Sequence, residues 1–154
     1  MVLSLFLSIS WILGGITIAL KDKFPRQQFA FTWLVANFIN TNLFYLLGEG
    51  AHLFELSRNP LYYVSFSLIQ SVIIPIFIAI MINLRPIAQS ASARAALHVG
   101  SILFLVGIEA LTVSLTIISY SGIMKFIYFV SYKLILFYFL IFALSLFRRM
   151  CKPT

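Results

Sequence analysis

Glu109 and Lys133 are the two residues of this 154-residue chain whose chemical type conflicts most sharply with their surroundings. Each lies inside an apolar run of at least twenty residues. An isolated charge at the centre of such a run costs roughly 2.5–3.5 kcal/mol on membrane-insertion scales. A short break at 119–125 separates the two runs. If they fold as an antiparallel helical hairpin turning near Ser121 and Gly122, both charges lie about twelve residues from the turn. At 1.5 Å per residue that is roughly 18 Å, close to the middle of a ~30 Å hydrocarbon core. Opposite charges at one depth on adjacent helices predict an intramembrane ion pair. Such a pair can handle protons or ions, or it can fix helix register and partners.

Other polar residues reach the same level. Asn37 lies ten residues before the expected outer end of its helix, and Gln70 nine residues into the next. Helical spacing extends these points into stripes: Glu109, Thr112 and Thr116; Asn37, Asn40 and Thr41; Tyr63, Ser67 and Gln70. Hydrocarbon solvates none of them, so they must face one another or a wet cavity. The stripes predict a polar pocket in the outer half of a bundle, with Glu109 and Lys133 as its floor. The alternative is interhelical glue, at about 0.6 kcal/mol per hydrogen bond on average. Pro75 lies inside a span, where it loses its own N–H and is expected to kink the helix and free the carbonyl of Ser71. Glu49, His52 and Glu55 recur every three residues in a loop and are weak metal-ligand candidates, since Gly48 and Gly50 oppose a stiff helix there. His98 is too far along the chain to join them and is expected to be an interfacial or packed histidine.

The elements that must position these groups follow from composition. The chain is 62% hydrophobic and 10% charged, with a mean hydropathy of +1.04. A soluble domain averages about 45–50% apolar and about 25% charged, so this composition suits lipid. Its net charge of +7 is dispersed between apolar runs rather than gathered on one face, which excludes a nucleic-acid reading. Five runs, at about 1–20, 28–47, 61–84, 95–119 and 124–147, predict an all-α integral membrane bundle of five transmembrane helices in a single domain. Asn59 and Pro60 start the third, and Arg85 and Pro86 stop it. Ser4, Ser8, Gly14 and Gly15 give the first helix small residues for close approach.

Eight basic residues fall on one side of these spans: Lys21, Lys23, Arg26, Arg85, Arg94, Arg148, Arg149 and Lys152. Arg58 and Lys125 fall on the other. This bias places the N-terminus outside and the C-terminus in the cytoplasm. Tyr45, Tyr62, Tyr63, Tyr120 and Tyr128 lie near the predicted outer ends, as an interfacial belt would. The first run has neither a basic leader nor a small-x-small cleavage site, so it is expected to be a retained anchor. Cys151, the one cysteine, is a free thiol or, in a eukaryote, a juxtamembrane lipidation site.

No H-E-x-x-H, G-x-S-x-G, Walker A or G-x-G-x-x-G motif occurs. The five-span plan, Pro75, the single Glu109 in the fourth span and the aromatic-rich fifth span ending in Arg148 and Arg149 resemble a family of small integral membrane proteins of spore-forming Gram-positive bacteria. That resemblance implies a bacterial inner membrane and no defined activity. The expectation is a non-enzymatic, multi-pass cell-membrane protein without cofactor. It is expected to be an accessory or small-ligand-binding subunit with protein partners, or a homo-oligomer. A small transporter, channel or proton-coupled carrier titrating at Glu109 is the competing class, and an intramembrane hydrolase or transferase a third.

Overall fold

The computed structural model describes residues 1–47, 54–120 and 122–150. Five helices account for most of them: α1 (Val2–Ala19), α2 (Arg26–Tyr45), a long third helix, α5 (Ala91–Ser114) and α6 (Ile123–Met150). The third helix has three parts, α3 (Pro60–Leu68), a π-helical turn (Ile69–Ile73) and α4 (Ile74–Leu84). Pro60–Leu84 is the most buried of the apolar helices and α1 the least. The long helix is therefore the centre, with α1 and α2 packed along it and α5 and α6 closing the other flank.

Local chemistry explains the boundaries. Asn59 caps α3 by accepting from the Leu61 N–H at 3.0 Å, with Pro60 in the first turn. Ser90 caps α5 by accepting from Ala93 at 3.1 Å. Four helices, Val2–Ala19, Pro60–Leu84, Ala91–Ser114 and Ile123–Met150, are long and apolar enough to cross a membrane. The second helix, carrying Gln27, Gln28, Asn37, Asn40 and Asn42, is not among these four.

Two features depart from a purely helical plan. Strands β1 (Phe54–Leu56) and β2 (Ile118–Tyr120) form an antiparallel ribbon, pairing Phe54 with Tyr120, Glu55 with Ser119 and Leu56 with Ile118. The expected fourth span, to 119, accordingly stops at Ser114. It ends in a Schellman turn: Ile117 N–H donates to the Thr112 carbonyl at 3.0 Å and Thr116 N–H to Val113 at 2.9 Å. Thr116 occupies the left-handed position, with φ 56°, where a β-branched residue is strained. The chain then turns back as a strand because Ile117, Ile118 and Tyr120 suit extended backbone.

The second departure is the π turn. The N–H of Ile74 reaches back five residues to the carbonyl of Ile69. The next carbonyl, that of Gln70, would need the N–H of residue 75, and Pro75 has none.

Candidate functional site

The two charges meet. The Lys133 ammonium donates to Glu109 Oε2, and the two side chains are 1% and 0% exposed. Phe129 lies one turn before Lys133 on α6, and its ring centroid is 5.3 Å from Nζ, within cation–π range. The second carboxylate oxygen is also taken, since the Tyr120 hydroxyl donates to Oε1. Tyr120 belongs to β2, so the ribbon contributes directly to the buried site. Burial, and the Glu109 carboxylate that the hydroxyl faces and bonds, push Tyr120 above the usual tyrosine range. It therefore remains protonated and a donor at any neutral pH.

The surroundings are aromatic. Phe129 has Phe54 at 5.4 Å, Phe44 at 5.6 Å, Tyr132 at 5.8 Å and Tyr120 at 5.9 Å between ring centroids. Phe44 closes the last turn of α2 and Phe54 opens β1. Alternation along β1 and β2 aims Phe54 and Ile118 inward, buried, and leaves Glu55 and Ser119 exposed. The ribbon is thus an amphipathic cover over the polar group. Glu109 lies only five residues before the end of α5, and Asn40 five before the end of α2. Each is about 7.5 Å from its helix end, and the ribbon occupies the space that these two helices leave. Counted on α5, the charge pair therefore lies nearer the bundle end than the expected mid-membrane position.

A second polar group adjoins on α6. The Asn40 amide donates to the orphaned Gln70 carbonyl at 2.7 Å and to Gln70 Oε1 at 2.9 Å. Tyr132, next in sequence to Lys133, donates to Asn40 Oδ1 at 3.2 Å. These bonds fix both amide orientations. A bare carbonyl can only accept, so Asn40 must present its NH2, and Gln70 must in turn present its oxygen to Asn40. Gln70 Nε2 is left as a buried donor without a partner.

Several expected members lie elsewhere. Thr112 is buried, but its hydroxyl donates to the backbone carbonyl of Glu109 at 2.7 Å, not to the carboxylate. Thr116 leaves the stripe because α5 has already ended, and it is exposed. Asn37 is half-buried and accepts from Thr41 at 3.1 Å within its own helix. Tyr63 is 46% exposed, so its stripe with Ser67 and Gln70 does not line one cavity. Beside Pro75 the carbonyl of Gln70, one residue before the expected Ser71, is the one that accepts from a neighbouring helix. The expected open pocket is thus replaced at Glu109 by a closed cluster, with both carboxylate oxygens occupied. Glu49 and His52, with Cys151, lie outside the described residues, and Glu55 sits exposed on a strand, not a helix. His98 packs against Phe137 and Tyr138.

Tyr120, Tyr132 and Phe129 were the residues that sequence reasoning missed. Phe129 carried a signal in its four-residue spacing to Lys133. For Tyr120 the signal was the β-branched run 116–118 leading into it, which apolarity alone extended as helix. No protein-family model, curated protein or solved structure matches the chain, so the cluster's chemistry is argued from its own geometry.

Proposed function

We propose that this chain is a non-enzymatic, multi-pass membrane protein acting as an accessory subunit, within a larger membrane complex or a homo-oligomer. Its charged cluster serves as an internal lock. The observation that carries this reading is the engagement of both Glu109 oxygens: each accepts a hydrogen bond, one from α6 and one from the ribbon, with no exposed face. A carboxylate so engaged is suited to fixing the partners of α5, α6 and β2 rather than to turning over a substrate.

All five helices cross in this reading. For α2, the outward residues Ala30, Leu34 and Phe38 are apolar and exposed, while Thr32 and Asn40 are buried. Its polarity is turned inward, as a crossing helix requires. Lys21, Lys23 and Arg26 precede or open α2, Arg85 and Arg94 flank the α4–α5 turn, and Arg148 and Arg149 close α6. That bias supports a cytoplasmic arginine end and a ribbon facing outward. The resemblance to small membrane proteins of spore-forming bacteria supports the bacterial inner membrane as its location.

A second reading, a small proton-coupled carrier titrating at Glu109, is favoured by one observation: the cover over the pair is a three-residue strand rather than a helix. A carrier would open there. Extraction into lipid nanodiscs without detergent tests the leading reading. A complex or defined oligomer is expected, and a lone, stable monomer contradicts it. Flux into vesicles that loses its pH dependence in Glu109→Gln would transfer the assignment to the carrier.

A further inference from the structure

The cavity most unlike the rest lies at the opposite end from the ribbon, between the ends of α4 and α6. It measures about 200 Å³, and Arg85, Arg148 and Ser145 line it together with Ile82, Ile141 and Leu144. Arg148 is held in place, since its Nε–H donates to Gln28 Oε1 at 2.7 Å. That bond uses one N–H of the guanidinium and leaves the others directed elsewhere. Among the described residues neither arginine has an acidic partner. Two cations facing one small cleft without an anion repel each other, and a bound anion removes that cost. Arg85 also lines the gap that reaches His98 and Ser101.

We infer that this cleft binds the phosphate of an anionic glycerophospholipid whose acyl chains lie in the bilayer beside it. The charge identifies the headgroup: guanidinium pairs phosphate with directed N–H bonds. The position identifies the source, because the cleft lies at the ends of two helices long and apolar enough to cross a membrane, at the level of lipid phosphates. Basic clefts between helices at the cytoplasmic end are the usual seat of anionic lipid headgroups. The assignment rests on the membrane reading above.

Native mass spectrometry of the detergent-extracted protein tests it, because micelles remove the diffuse potential of an anionic bilayer. The wild-type chain is expected to retain one phosphatidylglycerol in preference to phosphatidylcholine. Arg85→Gln and Arg148→Gln should each weaken that binding roughly tenfold or more. Arg94→Gln and Arg149→Gln remove the same charge from the same end but do not line the cleft, and should change it by no more than about twofold. Arg85 is exposed at a helix end, so Arg85→Gln keeps the test decisive if Arg148→Gln fails to fold. Equal losses in all four variants, or equal binding of phosphatidylcholine, overturn the site. Inorganic phosphate binding as tightly with the same arginine dependence overturns the lipid and assigns a free anion. Recovery of the wild-type chain in the aqueous fraction defeats the membrane reading itself, a result separate from indifference to phosphatidylglycerol.

Discussion

The two ends of this bundle treat charge in opposite ways. At the ribbon end, Glu109 and Lys133 are fully buried and paired, closed over by Tyr120 and an aromatic layer. At the arginine end, Arg85 and Arg148 face a cleft with no acid among the described residues to answer them. Burial explains the contrast. A charge removed from water must find its partner within the chain, whereas a charge at the boundary can leave that role to lipid or a neighbour. In the proposed reading the ribbon end secures the fold and the arginine end is left for association.

The largest expected effect breaks the ribbon end. Glu109→Gln leaves the Lys133 ammonium buried without a counter-ion and should cost about 3–5 kcal/mol, read as unfolding in mixed micelles. Tyr120→Phe keeps the ring packing but removes one hydrogen bond to a charged acceptor, for about 1.5–3 kcal/mol. That variant has a pH signature. Because the folded-state pKa of Tyr120 is raised, its contribution is complete below the ordinary tyrosine value, about 10, and is lost as pH rises beyond it. Wild type should therefore weaken in alkali more steeply than Tyr120→Phe.

Asn40→Ala strands the Gln70 carbonyl and amide and should cost about 1–3 kcal/mol, detectable as a lowered melting temperature. Thr116→Gly relieves the left-handed backbone at the end of α5 and should raise stability by up to about 1 kcal/mol. Smallest of all, Arg85→Gln should leave the melting temperature of the lipid-free protein within an equivalent of about 0.5 kcal/mol. A large loss there would erase the contrast between the ends.

The helices were legible in the sequence because apolar runs and their caps are local signals. Asn59, Pro60, Arg85 and Pro86 bound the third helix where expected. The meeting of Glu109 with Lys133 was legible because an ionisable group in hydrocarbon has few alternatives to an opposite charge at reach. What escaped is non-local or shifts a count by one. Strand β2 exists through pairing with residues some sixty positions earlier, and periodicity within 114–120 contains no trace of that partner. Pro75 announced a freed carbonyl, but the π turn beside it, and with it the exposure of the Gln70 carbonyl to Asn40, was not legible. Asn37 and Asn40 share a helical face by spacing, yet only Asn40 meets the long helix, since a face is wider than the contact it makes.

The central claim is that the Glu109–Lys133 pair is a structural lock. Exchanging the charges, Glu109→Lys with Lys133→Glu, tests it most directly, with folded yield and thermal stability measured beside both single substitutions. The lock predicts that each single change collapses the folded fraction and that the exchange restores most of it, Tyr120 accepting from the new lysine. An exchanged protein as unstable as the singles would contradict the lock. So would a stable one that has lost a measurable flux, which would leave Glu109 as the titrating group of a carrier.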